Sequence, residues 1–410
     1  MPYIQRAITP ILKQRVSTSK CMLLVGARQV GKSTLIKHEF KDFNRANFDD
    51  RLTRMQAKEE PKLFLLNNPQ PLFIDEVQKE SSILEDIKQI VDESDERGMF
   101  LLSGSQKLEL MKGMSESLAG RVSISELTGL SMREIYGVKF NRHFIPTDAY
   151  IKEREKEIVK YDNIWEIIHK GSYPELYDID RDWQEYYSSY VATYLERDIN
   201  ELVAADGITF TKFLTAVAAR TGELLNYSNI AGDVGVSEPT IKNWISILER
   251  TGIVYLLQPY SASALKRAIK TPKLYFRDTG LACYLTRWLT ADTLKCSAVA
   301  GNMFETFVVS EILKSYSNEG KDYRFNIFYY RGKDRNASGE NEIDLVIEED
   351  GVLYPVEIKM SGNPKASMGA TNQVLDKVSD KKRGLGVILC LIDKKTYLRE
   401  NLVALPIEFI

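Results

Sequence analysis

The sequence contains few of the residues that build structural metal sites or disulfide frameworks. Its 410 residues include 4 cysteines and 3 histidines. Cys21, Cys283, Cys296 and Cys390 are widely separated and form no C-x-x-C pair. We therefore expect no structural zinc site, because such sites use closely spaced cysteines and histidines. Unpaired cysteines in a long chain also fit a reducing compartment, so the expected location is the cytoplasm.

Long apolar runs and an excess of charge of either sign are also missing. No stretch reaches the roughly 18 consecutive apolar residues of a membrane-spanning helix, and the first residues lack the apolar core of a signal peptide. The 55 basic and 57 acidic residues leave a net charge of −2. We therefore expect a soluble protein without a membrane partner, in which contact with DNA would need a local basic patch.

The sequence does contain a series of short apolar runs with helical segments between them. CMLLV, PLFID, MFLLSG and RVSIS, with FNRAN as a further candidate, have the character of buried parallel strands. Ile83, Ile87, Ile90 and Val91 share one face of a helix between two of these runs. Alternation of strands and helices predicts an α/β domain with a parallel sheet over residues 1–130.

The first apolar run leads into the pattern G-x-x-x-x-G-K-[ST]. Its members, with a second hydroxyl at the end, are Gly26, Ala27, Arg28, Gln29, Val30, Gly31, Lys32, Ser33 and Thr34. Glycines let the backbone curl so that its amides face a phosphate, and the following helix points its positive N-terminus at the same group. Lys32 is expected to bridge the β- and γ-phosphates and Ser33 to ligate Mg²⁺. The alternative is an ordinary glycine-rich turn.

Two further runs end in polar residues suited to phosphoryl transfer. PLFIDEVQ places Asp75 and Glu76 at the end of an apolar strand, and an ordinary acidic strand end is the alternative. Asp75 is expected to hold Mg²⁺ through water, and Glu76 to orient and polarise the attacking water. MFLLSGSQ ends in Ser103, Ser105 and Gln106, which are either sensors of the γ-phosphate or the attacking water, or simple turn formers.

Two arginines are candidates for contact with the nucleotide of a neighbouring subunit. They are Arg121 in SLAGRV and Arg197 in YLERD, and a structural salt bridge is the alternative for each. Together with GARQVGKST, LFIDEVQ and LLSGSQ, these segments resemble a large family of prokaryotic AAA+ ATPases with a C-terminal domain of formerly unknown function. The resemblance covers nearly the whole chain. It implies a P-loop sheet of the AAA+/ASCE class, ATP as the nucleotide and the capacity to form homo-oligomers.

The middle of the chain predicts a helical, aromatic-rich lid or linker over residues 131–205 and a winged-helix-like domain over residues 206–290. Gly235 would form the turn of a helix-turn-helix and Ser237 would cap its second helix. A core stripe follows at Ile241, Trp244, Ile245 and Leu248. A basic stripe then offers a wing, with Lys266, Arg267, Lys270, Lys273 and Arg277. DNA contact and protein contact remain equally open.

Residues 291–410 predict a last α/β domain with a charged hairpin. The strands EIDLVI and YPVEIK are joined by a turn at residues 349–351. Glu342 and Asp344 share one face of the first strand, and Glu357 and Lys359 share one face of the second, so three carboxylates and one ammonium would converge if these faces meet. Asp344 and Glu357 are the expected metal ligands. The two carboxylates could hold Mg²⁺, and Lys359 could activate water. With Glu305 on an upstream helix, this order resembles the restriction-endonuclease-like, PD-(D/E)xK, superfamily, although GEN, not the Pro-Asp of the strict pattern, precedes Glu342. The alternatives are a solvated hairpin and a fold that no longer cleaves.

These patterns predict an ATP-binding and ATP-hydrolysing protein that uses Mg²⁺ and carries a nuclease-like C-terminal domain. That domain would act on or bind nucleic acid. The alternative is a non-catalytic switch or scaffold, in which nucleotide controls the binding of DNA or protein and the nuclease fold is degenerate.

Overall fold

The computed structural model describes residues 3–104, 118, 120–178, 181–199, 206–261, 271–333, 340–378 and 380–410. Ser105, Gln106, Lys266, Arg267 and Lys270 lie outside these ranges, as does the side chain of Arg197. No helix in these ranges combines the length and the apolar character that a membrane span requires.

The N-terminal part contains the predicted parallel sheet. Its strands are β1 (Cys21–Val25), β2 (Asn44–Asn47), β3 (Leu72–Asp75), β4 (Phe100–Gly104) and β5 (Val122–Glu126). They run in the order β2-β3-β4-β1-β5, and every pairing is parallel. The five strands expected from the sequence are thereby confirmed. Because β4 lies between β1 and β3, the carboxyl ends of these three strands meet at one edge.

Helices cover both faces of this sheet. They are Thr9–Thr18, Lys32–Glu39, Arg51–Glu59, Pro61–Asn67 and Ile83–Glu93. Successive β1 side chains enter two different apolar clusters, with Met22 and Leu24 in one and Leu23 in the other. The expected apolar face of Ile83–Glu93 is confirmed, since Ile83, Ile87 and Val91 are buried.

The central part is helical, as its sequence predicts. Its helices are Met132–Ile135, Asp148–Arg154, Ile164–Lys170, Glu175–Asp178, Trp183–Tyr190, Gly207–Ala218, Tyr227–Val234 and Glu238–Arg250. Trp183–Tyr190 continues into the π-helical turns Val191–Ile199. Gly235 ends Tyr227–Val234 at φ 84°, and the Ser237 side chain caps Glu238–Arg250. The predicted stripe from Ile241 to Leu248 is buried.

A small antiparallel sheet packs against these helices. It contains β6 (Glu223–Leu224), β7 (Val254–Leu257) and β8 (Lys273–Phe276), in the order β6-β8-β7. The helices Thr279–Leu285, Ala291–Lys295 and Ala300–Asn318 follow.

The C-terminal part is built on a mixed sheet. Its strands are β9 (Ile327–Lys333), β10 (Glu340–Glu349), β11 (Val352–Lys359), β12 (Lys382–Arg383), β13 (Gly386–Cys390), β14 (Thr396–Arg399) and β15 (Leu402–Pro406). The order is β14-β15-β13-β11-β10-β9, with β12 beside β11. The predicted hairpin is confirmed as β10 and β11, and its turn has positive φ at Asp350 and Gly351. The helix expected after it consists of 3-10 turns, Ala366–Lys377.

The long helix Ala300–Asn318 joins these parts, and nearly all of its residues are buried. Lys314 Nζ donates to the Leu130 carbonyl oxygen at 3.0 Å. The Met132 amide donates to Glu311 at 2.8 Å. The helix Ala300–Asn318, which precedes the C-terminal sheet, is thus hydrogen-bonded directly to the residues that follow β5.

Candidate functional site

The loop after β1 has the shape that phosphate binding requires. A Cβ atom on Gly26 would lie 2.3 Å from the Leu127 carbonyl oxygen, so only glycine fits there. Gln29 and Gly31 both have positive φ, of 64° and 93°. The helix Lys32–Glu39 then begins directly at Lys32. Its free amides and its dipole therefore point to the curled loop.

Lys32 lies inside this curl. Its ammonium group is buried and donates to the carbonyl oxygens of Gly26 and Ala27, each at 3.0 Å. Burial lowers the pKa of Lys32, and the nearby carboxylates of Glu76 and Asp75 oppose this shift. The ammonium therefore lies between the loop and the end of β3, where phosphate oxygens would compete with the two carbonyls.

The end of β3 brings two carboxylates beside the loop. Asp75 is buried and accepts a hydrogen bond from the Ser103 hydroxyl at the end of β4. Glu76 has the left-handed backbone conformation, at φ 53°, and its carboxylate accepts a hydrogen bond from the side-chain amide of Gln78. A non-glycine residue held at positive φ stores strain, and such strain is concentrated at functional sites.

A cavity of about 580 Å³ is lined by Glu76 and by most residues of the phosphate loop. Arg28, Gln29, Gly31, Lys32, Ser33, Thr34 and Glu76 line it. This volume is in the range of small-molecule sites. The Ser33 hydroxyl lines the cavity, and the Asp75 carboxylate is buried at the end of the neighbouring β3. Both are hard oxygen donors of the kind that Mg²⁺ prefers.

Arg6 is a supporting residue that no sequence pattern indicates. It is 3% exposed, and its guanidinium donates to Glu134 Oε1 at 2.9 Å and to the Val30 carbonyl oxygen at 2.8 Å. It also donates to the Thr128 carbonyl oxygen at 2.7 Å. One side chain therefore joins the phosphate loop to the segment after β5. Pairing over such a sequence distance leaves no local signal.

Arg121 lies away from the cavity. It pairs with Asp92 of the same chain, directly before the start of β5. The phosphate loop follows the opposite end of the parallel strand β1. Within one chain, Arg121 is thus a surface salt-bridge residue, and contact with a neighbouring subunit's nucleotide stays a prediction.

The hairpin β10–β11 brings the predicted acidic residues together. Asp344 and Glu357 are both buried, and the strand register places them opposite each other. Lys359 Nζ lies 2.8 Å from Asp344 Oδ2 and 2.8 Å from Glu357 Oε2. Burial, then the neighbouring Asp344, raises the pKa of Glu357 to about 8. The sequence predicts that three carboxylates and one ammonium converge here, and Asp344, Glu357 and Lys359 do so.

Glu305 has a different partner. Its Oε1 lies 3.2 Å from Lys273 Nζ and accepts a hydrogen bond from the Tyr275 hydroxyl at 2.5 Å. Lys273 also pairs with Glu342 at 2.5 Å. Among the described residues, no group of three or more acidic, histidine or cysteine side chains is arranged to hold a metal ion. The predicted Mg²⁺ ligands Glu305, Asp344 and Glu357 thus remain a proposal.

The basic stripe expected to form a DNA-facing wing is wrong for its two described members. Lys273 is buried against Glu305 and Glu342, although it starts a strand of the small sheet. Arg277 donates to Glu126 Oε1 at 2.8 Å and to the Tyr323 hydroxyl at 2.5 Å. Both side chains turn inward because acidic partners distant in sequence neutralise them there.

Comparisons with known proteins divide the chain into three parts. The family described as AAA domain matches residues 18–136, and two domains of unknown function, DUF8612 and DUF4143, match residues 161–292 and 300–410. The AAA match, together with the loop geometry, supports a P-loop ATPase unit that binds and hydrolyses nucleotide. The other two descriptions carry no activity, so the winged-helix and endonuclease-like expectations stay predictions.

Similar whole proteins are themselves uncharacterized or distant. One protein from Mycobacterium bovis and one from Mycobacterium tuberculosis are each 27% identical over 375 residues, covering 89% of this chain and 76% of theirs. The Walker-type ATPase PABY2304 of Pyrococcus abyssi has 14% identity and a TM-score of 0.43, covering 68% of this chain and 94% of its own. AMPPCP-bound DnaA from Aquifex aeolicus has 14% identity and a TM-score of 0.27, covering 59% of this chain and 85% of its own.

Proposed function

We propose that this chain is a Mg²⁺-dependent ATPase whose hydrolytic site consists of the phosphate loop, Asp75 and Glu76. The observation that carries the proposal is the position of β4 between β1 and β3. This order places the loop, Ser103 and the two carboxylates at one edge of the sheet. Phosphate binding and activation of water can therefore occur in one cavity.

Each residue has a role that follows from its chemistry. The loop amides and Lys32 would hold the phosphates, and Ser33 and Asp75 would hold Mg²⁺. Bound Mg²⁺ would neutralise the charge on the β- and γ-phosphate oxygens. Glu76, which lines the same cavity, would orient the attacking water and accept its proton.

The variant Glu76→Gln tests this assignment. It keeps the size of the side chain but removes the base, so ATP should still bind while kcat falls by about 100-fold or more. Phosphate release and binding of a fluorescent ATP analogue measure the two effects. Glu85→Gln, on the exposed side of Ile83–Glu93, is the matched control. Turnover at the wild-type rate in Glu76→Gln would contradict the assigned role.

A second proposed function concerns residues 291–410, as a nuclease-like domain that acts on nucleic acid. The supporting observation is the contact of Lys359 with both Asp344 and Glu357. The two carboxylates would hold Mg²⁺, which would activate water for attack on a phosphodiester. Lys359 would position that water and stabilise the developing charge.

Asp344→Asn should abolish Mg²⁺-dependent cleavage of DNA or RNA. Single- and double-stranded substrates should be incubated with and without ATP, and Asp376→Asn, whose carboxylate pairs with Arg383 at the surface, is the control. Cleavage that persists in Asp344→Asn would place the activity elsewhere. Binding without cleavage by the wild type would favour the alternative of a nucleotide-gated switch.

The remaining parts complete this proposal. Residues 131–205 would serve as a lid or linker, and residues 206–290 as a winged-helix-like unit, after the ATPase unit 1–130. The inward position of Lys273 and Arg277 favours contact with other parts of the protein over contact with DNA.

A further inference from the structure

Arg28 is a second cation in the nucleotide cavity, beside Lys32. Both residues line the cavity of about 580 Å³ together with Glu76. Burial, and to a smaller extent the charge of Arg28, lowers the pKa of Lys32, so the two cations are close enough to repel each other. Such repulsion disfavours the folded state, and residues that accept it are concentrated at functional sites, where an anionic ligand offsets it.

Arg28 also lies at the Glu76 side of the cavity. Its guanidinium carbon is 5.6 Å from the centre of the Tyr194 ring. Burial raises the pKa of Tyr194, the charge of Arg28 opposes this rise, and the charge of Glu76 adds to it. Arg28 and Glu76 are therefore both near one aromatic ring. This is the part of the cavity in which Glu76 would orient the attacking water, next to the outermost phosphate of ATP.

One helix supports both Arg28 and the residue after it. Tyr186 and Tyr194 are buried, and the helix reaches Tyr194 through the π-helical turns Val191–Ile199. The Tyr186 hydroxyl donates to Gln29 Oε1 at 2.8 Å, which holds the side chain of a residue at positive φ. Turns of π-helix are rare and occur frequently at functional sites. Here they bring the Tyr194 ring against the Arg28 guanidinium.

Two other arginines considered for this site have different contacts. The Arg6 guanidinium is hydrogen-bonded to Glu134 and to backbone carbonyl oxygens. Arg121 forms a surface salt bridge at the opposite end of the sheet. Of these three arginines, Arg28 is the one placed at the Glu76 end of the cavity.

We propose that Arg28 is a catalytic residue of the proposed ATPase and binds the γ-phosphate of the ATP held by its own chain. Its guanidinium donates to the γ-phosphate oxygens and stabilises the charge that develops on them. Tyr194 is a positioning residue, because its ring holds the guanidinium at this end of the cavity. The inference rests on the proposed ATPase function and deepens it by naming the residue that distinguishes ATP from ADP.

The chemical step that Arg28 assists is transfer of the γ-phosphoryl group to water. The water oxygen bonds to the γ-phosphorus while the bond from this phosphorus to the β–γ bridging oxygen breaks. Glu76 takes a proton from the water, and ADP leaves with the electron pair of the broken bond. Arg28 exchanges no proton, so its contribution is the stabilisation of charge.

Nucleotide binding separates this role from a structural one. Isothermal titration calorimetry on the full chain compares ADP with a non-hydrolysable ATP analogue. Arg28→Gln should weaken binding of the analogue about tenfold and binding of ADP less than about twofold, because only the analogue has a γ-phosphate. The same variant should lower kcat by about 100-fold or more. Arg45→Gln, which removes an exposed arginine bonded to the Lys37 carbonyl oxygen, should match the wild type.

A double-mutant cycle tests the positioning role of Tyr194. Tyr194→Leu removes the ring and should lower kcat about tenfold, and Tyr194→Phe, which keeps the ring, should recover most of this loss. Arg28→Gln/Tyr194→Leu should be no slower than Arg28→Gln alone, because Tyr194 acts through Arg28. A double variant slowed by the product of the two single factors would refute the positioning role.

Two results would overturn the role of Arg28. One is a folded Arg28→Gln protein with the wild-type ratio of analogue affinity to ADP affinity, and the other is an unchanged kcat. If Arg28→Gln does not fold, modification of wild-type arginines by phenylglyoxal decides. The analogue should protect Arg28 several-fold more than ADP does, relative to Arg45, as read by mass spectrometry. Equal protection by the two nucleotides would refute the contact with the γ-phosphate.

The same measurements separate this inference from the proposed ATPase function. Selective loss of analogue binding in Arg28→Gln, in a chain whose turnover does not depend on Glu76, would refute the assigned hydrolytic site and support the γ-phosphate contact. Glu76-dependent turnover at equal rates in the wild type and Arg28→Gln would refute the catalytic role of Arg28 and leave the ATPase intact.

Discussion

Arg6→Met should destabilise the protein strongly, because it leaves a carboxylate buried without its cation. The side chains of Arg6 and Glu134 are 3% and 1% exposed, and their ion pair is 2.9 Å long. Breaking a buried pair by removing one partner costs about 3–5 kcal/mol. The Val30 carbonyl oxygen also loses its donor, so the phosphate loop loses an anchor. We therefore expect a loss of about 3–5 kcal/mol in unfolding free energy and weaker ATP binding.

A double-mutant cycle with Glu134→Gln identifies the cause of this loss. Neutralising the orphaned carboxylate should recover about 2 kcal/mol, because coupled buried groups are not additive. Urea unfolding followed by circular dichroism gives the unfolding free energies of the two single variants and the double variant relative to the wild type. The comparison requires that all four proteins share the same dependence of unfolding free energy on urea concentration. Arg45→Met, which removes an exposed arginine bonded only to the Lys37 carbonyl oxygen among the described residues, is the control.

The pH dependence of the loss gives a second check on Arg6→Met. Burial tends to raise the pKa of Glu134, but Arg6 and amide donors lower it overall. In the wild type this stabilisation is present above the ordinary glutamate pKa and is lost as pH falls. Without Arg6, burial raises the pKa of Glu134 in the folded variant, so the cost of Arg6→Met should shrink progressively as pH falls from neutral through about pH 4. A loss under about 1 kcal/mol at pH 7, or strictly additive single changes, would refute the reasoning.

Two further predictions concern buried carboxylates. The pKa of Glu357 is raised to about 8, so the folded state keeps a proton that the unfolded state releases. In metal-free buffer, the unfolding free energy of the wild type should therefore fall by about 3 kcal/mol relative to that of Glu357→Gln as pH rises from 5 to 8. Unfolding free energies that change in parallel with pH in the two proteins would contradict this. Asp278 accepts hydrogen bonds from the Ser172 amide and hydroxyl and from the Tyr187 hydroxyl. Asp278→Ala should cost about 3 kcal/mol in urea unfolding, and a change below about 1 kcal/mol would show that water replaces the carboxylate.

Local patterns were enough to predict much of the fold. The five parallel strands and the hairpin β10–β11 follow from apolar runs and turn residues, because each signal spans only a few neighbouring positions. The cap at Ser237 and the buried stripe that follows it are local signals of the same kind. Sequence alone did not predict that the helix after the hairpin consists of 3-10 turns, since such short runs have no distinct period.

The predicted site residues show where local reasoning ends. Gly26 and Lys32 carry a dense motif, but the Arg6 contact joins positions 24 residues apart and has no spacing rule. Lys273 and Arg277 looked like a solvent-facing basic stripe because no acid lies near them in sequence. Their partners, Glu305 and Glu126, are 32 and 151 positions away. Only tertiary packing could show that Lys273 is buried and that Arg277 is paired within the protein.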